Sequence, residues 1–494
     1  MFRFSRYARL LAAASVAALA IAALPGHTPL ASADEVYPRP ASGTLTLVGR
    51  GYGHGRGMSQ YGAMSAALRG QTWQQIINFY YPNTTRISGF TGTIRVGVQS
   101  KTGMTARVAM ETGLTATSAD GKVKTELPAK VGDVAVWSWQ VALPNDTTNT
   151  TGVALRARLA NGVSVQVFPT TSPSWTFSTP DATLTAMTSS GSKVATYLGT
   201  FRGVRAGSSV QPVVVTSLEN YTRQVVPYEN FGSWPVTAQA AQSVAARSYG
   251  AWYLTHPLSS RYDICDTTTC QVFGGLGAET ANTKAGVAAS AGVVIAIAGK
   301  PIRAEFGSSN GGWTVASNVV YQIAQADPWE GKLAPSAYTW SASVSAATIQ
   351  AKWPTIGTFT RLVVTSRDGH GWWGGRVLGV RIEGTAGSVT RTGDQLRATL
   401  GLRSNYLTVA DSPAALFRDV SGDGRPDFLS RSSTGRLLST RSTSATTFSA
   451  PVTLGTSWGA YKYVFSGGLF GSDRYADVLS VDSTGTLRYH ASYG

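Results

Sequence analysis

Charge is scarce in this chain. Only 14% of its 494 residues are Asp, Glu, Lys or Arg, and basic residues outnumber acidic ones by 42 to 26. There are two cysteines and five histidines. Each shortage excludes something. Two cysteines exclude an all-cysteine zinc site, which needs four such ligands. No Lys/Arg run and no basic helix with interleaved aromatics is present, so the formal charge of +16 is dispersed rather than gathered into a nucleic-acid footprint. After the first two dozen residues no apolar run approaches the roughly 20 needed to span a bilayer. The longest, at 288–298, is too short, and no membrane domain is expected.

Glycine, by contrast, is abundant at 54 residues, with many Ser and Thr. This composition predicts a loop-rich, β-rich extracellular protein. The length allows two or three domains with their own cores. Arg3, Arg6 and Arg9, the apolar stretch at 10–24 and Ala31-Ser32-Ala33 read as a signal peptide over 1–33. The expected product is secreted, extracellular or wall-associated. Removing the three arginines leaves +13, which suits an anionic cell-wall matrix or simple solubility.

Residues 34–44 read as a Pro/Ser/Gly linker. Helices are expected over 59–68, 73–80, 218–223, 236–254, 346–352 and 393–400 from apolar spacing. Between 93 and 215 apolar and polar residues alternate between Gly, Asn and Asp turns, predicting a β-rich subdomain without an ionisable cluster. From about 412 the composition changes. FRDVSGDGRPDFLSRSSTGRLL is echoed by LFGSDRYADVLSVDSTGTLRYH, with a period near 50 that aligns Asp427 with Asp477 and Gly435 with Gly485. Such a period suggests propeller-type blades, and two copies cannot close a propeller.

The stretch VVPYENFGSWPVTAQAAQSVAARSY at 225–249 sets one carboxylate, Glu229, in an aromatic loop ahead of an Ala-rich helix. Tyr228, Phe231 and Trp234 flank it. Ser233 is the expected helix cap, and Pro235 fits the first turn. Burial among aromatics would raise its pKa, whereas the start of a helix would lower it. The loop therefore fits a general acid or a helix-end charge. Glu219 reads as a pairing charge and Glu305 as a supporting residue. No second acid stands at a motif-like spacing, although a conventional glycosidase uses two. One acid suffices if the sugar supplies its own nucleophile, as the muramic acid C6 hydroxyl does in peptidoglycan.

GYGHGRGMSQYGA offers His54, Gln60 and Tyr61 as sugar-contacting types. Its spacing is wrong for a phosphate loop, and no Lys-Ser/Thr follows. Ser308, Ser309 and Asn310 in SSNGGW look like a ligand-facing loop, and Arg247 completes the expected substrate-binding set. Cys265 and Cys270 in an exported chain fit a short-loop disulfide. Zinc there stays open, with His256 as the nearest further ligand. In the tail, Asp419, Ser421, Asp423, the Arg425 carbonyl and Asp427 fall at alternate positions of a calcium-type loop, but Ser430 stands where the usual Glu would be.

These segments together resemble the SpoIID/LytB (sporulation stage II protein D, amidase enhancer) family. LENYTRQVVPYENFGSWPVTAQAAQSVAARSY is similar to the family's core signature, and YDICDTTTCQVFGG, EFGSSNGGWT, the 376–409 segment and GYGHGRGMSQYGA are similar to further hallmarks. The resemblance implies an α+β domain over 45–411 and a peptidoglycan lytic transglycosylase cutting MurNAc–GlcNAc bonds. Glu229 stands at the position of the catalytic acid, and no cofactor is required for catalysis. It implies glycan strands as partner, and the alternative is a non-catalytic wall-binding protein that stimulates an amidase. One departure is order: in the family the GHG segment follows the catalytic glutamate, whereas here it precedes it, as after a circular permutation. The tail resembles FG-GAP/VCBS repeats, implying a calcium-stabilised all-β module over 412–494.

Overall fold

The computed structural model describes residues 34–99, 104–168, 172–331, 335–410, 427–441, 449–468 and 477–490. The expected signal peptide lies outside the described residues, as do Asp419, Ser421, Asp423 and Arg425 of the proposed calcium loop. The architecture mixes helices and sheets, in agreement with an α+β class.

The alternating region folds into two facing antiparallel layers. One runs in the order Ser164–Phe168, Ala154–Leu159, Val134–Ala142, Met104–Ala109, Thr183–Thr188, Lys193–Leu198. The other contains Thr93–Gly97, Ser209–Ser217, Thr200–Ala206, Ser174–Ser178, Thr115–Ser118 and Lys124–Glu126. Their inward residues, among them Trp139, Phe177 and Phe201, are fully buried. Each contributes about 1.5–3 kcal/mol through removal from water. The layers meet closely at Gly203, where a Cβ would lie 2.4 Å from that of Val141.

The strand Ser209–Ser217 runs directly into the helix Leu218–Glu229, which starts with the Ser217 hydroxyl accepting the Asn220 N–H. This helix continues past the expected end at 223, because Pro227 sits inside it without stopping it. The next helix, Val236–Tyr253, is buried on almost every side. Its alanines keep it slim, so that Gly286 of the helix Ala281–Ala289 abuts it, with room for no side chain beside Gln239. Pro235 is its cap residue and no side chain caps it, so the expected Ser233 cap does not form. Glu219 and Arg247 tie the two helices together at 2.8 and 2.9 Å. Arg247 also donates to the Ser290 and Val293 carbonyls.

The N-terminal segment is not a free linker. Glu35–Pro38 pairs with Phe359–Arg367, and Glu35 forms an ion pair with Arg367. Thr44–Arg50 lies between Thr339–Ser345 and Leu407–Val409. The beginning of the described chain is thus woven into a core built from its residues 340–409, including Trp340, Trp353 and Phe359. Met58–Ser59 then pairs in parallel with Phe306–Gly307.

The tail's internal repeat is visible as a repeated hairpin. Phe428 pairs with Thr440 and Arg431 with Leu437, and Val478 pairs with His490 and Val481 with Leu487. The two registers differ by a constant offset of 50 residues. Gly435 and Gly485 take positive φ at the matching turn.

Because Arg247 is fully buried, removing its partner strands a charge. Glu219→Ala is expected to cost about 3 kcal/mol, the lower end for such pairs because Glu219 is partly exposed. Glu219→Met combined with Arg247→Met should cost clearly less than the single change. Guanidinium unfolding of the two variants checks this, and equal losses would contradict it.

Candidate functional site: the Glu229 cleft

Glu229 is the last residue of its helix, not the first approach to the next one. The negative end of the helix dipole therefore faces it, which favours the protonated carboxyl. The residue is partly exposed. Desolvation raises its pKa from 4.5 to about 6, and hydrogen bonds from Val272 and Gln60 pull in the opposite direction without cancelling it. The expectation that three neighbouring aromatics would cover the acid is only partly met. Trp234 is buried, but Phe231 is 62% exposed.

The donor to Glu229 is held in place from the core. The Val272 N–H reaches Glu229 Oε1 at 2.8 Å. Next to it, Phe273 is fully buried and stacked between Tyr197 and Tyr221, at 5.3 and 5.6 Å. On the other side the Tyr221 hydroxyl donates to Gln271 Oε1 at 2.6 Å. Gly274 passes so close to the Tyr228 ring that a Cβ would lie 2.3 Å from it. The preceding loop is closed by a disulfide between Cys265 and Cys270. His256 takes no part, because its ring stacks on Trp252. A cavity of about 250 Å³ opens beside Tyr228, lined by Val194, Ala195, Thr196, Gly274, Leu276 and Gly277.

The GHG segment folds back onto this acid across 169 residues of sequence. Gln60 Nε2 donates to the Glu229 carbonyl at 2.9 Å. The Tyr61 ring packs against Trp234 at 5.0 Å and Phe231 at 6.4 Å. Its N–H donates to the carbonyl of Ser308, a partly exposed residue. Glu229, Gln60, Tyr61 and Ser308 therefore come together, and Phe231 adds an exposed ring beside them.

Other expected site residues stand apart. Arg247 is wholly buried and its donors are occupied by Glu219 and backbone carbonyls, so it has no face for a ligand. Ser309 and Asn310 are 2% and 1% exposed. Ser309 and Ser59 donate to the two oxygens of Glu330, while Asn310 and Tyr80 each donate to Asp327 Oδ2 at 2.7 Å. Small polar residues among glycines here bind buried acids of the same chain. His54 Nδ1 accepts the Arg56 N–H at 3.0 Å, which assigns the neutral proton to Nε2. Burial and Arg56 lower its pKa to about 4, so it is neutral at pH 7. Arg56 pairs with Glu305 at 2.8 Å.

Asp327 and Glu330 were not singled out from the sequence. Burial raises both, Glu330 to about 7 with the nearby Asp327 charge adding to the shift. Their contacts give them away, with Ser309 and Asn310 nearby and with Ser59 and Tyr80 about 250 positions earlier. Val272 acts through its backbone and carries no side-chain signal at all. Asp427 is buried, but no cluster of three or more His, Cys, Asp or Glu suited to a metal occurs among the described residues. No described helix is long and apolar enough to cross a membrane.

One acid with a raised pKa thus stands at a helix end beside an aromatic and amide-bearing loop. Residues 206–296, which contain Glu229, both cysteines and Phe273, match the SpoIID family model, described as stage II sporulation protein. The chain is 56% identical over 43 residues to the amidase enhancer of Bacillus subtilis (strain 168), covering 9% of this chain and 6% of that protein. It is 47% identical over 55 residues to stage II sporulation protein D of the same strain, covering 11% and 16%. An uncharacterised protein of Brachyspira hyodysenteriae (strain ATCC 49526 / WA1) is 26% identical over 129 residues, covering 26% and 35%. The matches thus span about a third or less of each relative's length.

Glu330 has a folded-state pKa above its ordinary value. Its stabilising effect is therefore complete below about pH 4.5 and is lost as the pH rises through about 7. Relative to Glu330→Gln, the unaltered protein should lose about 3 kcal/mol of stability between pH 4.5 and 7.5. Denaturant midpoints of both proteins across that range test this. A stability gap that does not change with pH would contradict it.

Proposed function

We propose that this chain is an exported lytic transglycosylase acting on the glycan strands of peptidoglycan, with Glu229 as its one acid and base. The observation that carries the reading is the carboxyl of Glu229, with its pKa raised to about 6 in a partly exposed position beside Gln60 and Tyr61. In the first half-reaction Glu229 gives its proton to the glycosidic oxygen as the C1–O bond breaks, and the GlcNAc-bearing fragment leaves as an alcohol. In the second the C6 hydroxyl of the same muramic acid attacks C1, and the Glu229 carboxylate takes its proton. The product is a 1,6-anhydro ring, water is not consumed, and the glutamate ends as it began. A second carboxylate has no task in this sequence, and none is among the groups that shift Glu229.

Tyr61 would hold the sugar by its ring face, while Gln60, buried and donating to the Glu229 carbonyl, would position the acid. A segment order in which GYGHGRGMSQYGA precedes the acid yet lies against it supports a permuted chain. The tail would serve as a wall-binding or adhesion module, with calcium held by its Asp-rich loop. A second reading, stimulation of a wall amidase without cleavage, is favoured by the 56% identity to a protein named amidase enhancer and by the exposed ring of Phe231.

Purified protein incubated with denuded glycan strands should release anhydro-muramyl ends detectable by mass spectrometry. Glu229→Gln should lower the rate by roughly 10²–10⁴-fold, the usual contribution of a positioned acid. The rate should hold steady below about pH 6 and fall tenfold per unit above it, since the acid must be protonated. Binding without cleavage by both proteins, combined with faster amidase turnover in their presence, would replace the first reading with the second.

A further inference from the structure

The loop at 368–376, DGHGWWGGR, is built with unusual stiffness for a surface turn. Gly369, Gly371, Trp373, Gly374 and Gly375 all take positive φ, a conformation that Trp373 adopts at a cost. Asp368 Oδ1 accepts the N–H groups of His370 and Arg376 at 3.1 and 3.0 Å. The Tyr406 hydroxyl accepts the Trp372 N–H at 2.7 Å and donates to the His370 carbonyl at 3.2 Å. Gly371 is wedged against Tyr406 and Trp313, where any Cβ would clash.

What this frame presents is aromatic. Trp372 is 50% exposed, and its inner face lies on the Arg50 guanidinium, 4.0 Å from the ring centroid. Arg50 has the Tyr338 ring at 4.7 Å, and its Nε and Nη1 have no hydrogen-bond partner among the described residues. The cation is thus held by rings rather than by an acid. Two residues on, Tyr52 is 49% exposed. Tyr52 pairs with Ser309, the neighbour of the Ser308 whose carbonyl accepts the Tyr61 N–H, so this end of the segment stands beside the residues that gather at Glu229. The loop therefore holds a half-exposed indole in one orientation, with its backbone N–H tied to Tyr406 and its inner face on Arg50.

We propose that Trp372 and Tyr52 form a distal subsite for a pyranose ring of the same glycan strand that Glu229 cleaves, a proposal that rests on the reading of the Glu229 cleft given above. A sugar's C–H face is apolar and slightly positive, and it matches the negative face of an indole or phenol ring. Arg50 positions Trp372 from behind. The subsite gives length dependence, because a strand that reaches Trp372 gains a contact that a short one lacks.

The test uses the full chain carrying Glu229→Gln and two denuded MurNAc–GlcNAc oligosaccharides, a tetrasaccharide and a dodecasaccharide, with Kd measured by calorimetry. Adding Trp372→Ala should weaken the long ligand about tenfold and leave the short one unchanged, while Trp372→Phe should restore most of the loss. Equal affinity of Trp372→Ala for the long ligand overturns the subsite alone and leaves the Glu229 reading intact. Equal weakening of both ligands also overturns it, because the effect is then a general disturbance. If the Glu229→Gln protein binds neither oligosaccharide, the reading of the cleft fails and the subsite with it.

Discussion

The return of the N-terminal segment to the middle of the chain is the constraint on which the site depends. Met58–Ser59 pairs with Phe306–Gly307, and the Ser59 hydroxyl then grips Glu330 while capping the helix Gln60–Leu68. That one junction fixes where Gln60 and Tyr61 can be. The ion pair of Arg56 with Glu305 and the contact of Tyr61 with Ser308 secure it on either side. If the clamp opened, Glu229 would keep its helix and its Val272 donor but lose the loop that closes over its backbone.

Two opposite uses of buried carboxyls follow from the same physics. Asp327 and Glu330 lie deep, are surrounded by donors and act as cross-links between distant segments. Glu229 keeps a partly exposed position, a single backbone donor to one oxygen and the unfavourable end of a helix dipole. Burial raises the pKa in both arrangements, but the first encloses its carboxyls among donors of the same chain, whereas the second leaves a carboxyl that a ligand can reach. Donor number and exposure, not residue type, separate them.

Local features were legible from the sequence where local chemistry decides. The helix Gly393–Leu400 begins at its Thr392-to-Gln395 capping box and ends at Gly401 in the left-handed region, and its bounds follow from those residues. The 50-residue period of the tail is also visible in the sequence, whereas the hairpins that carry it are seen only in the structure. Glu229 was singled out, but its placement at a helix end was hidden by Pro227, which ordinarily stops a helix and here does not. Ser309 and Asn310 looked like ligand residues because small polar side chains among glycines suit either a ligand or a buried acid, and the acids arrive from elsewhere. The strand Glu35–Pro38 read as a linker because its partner lies more than 300 residues away.

The central claim is that its surroundings let Glu229 hold a proton up to about pH 6, well above an ordinary glutamate, and its carboxyl titration tests this most directly. In protein labelled with ¹³C at glutamate side chains, the signal missing from the Glu229→Gln variant identifies the residue. A midpoint near 6 is expected, with the ordinary exposed glutamates titrating well below it. A midpoint at or below 4.5 would mean that Glu229 is a fully charged helix-end group at neutral pH, and the account of the site as an acid would fail.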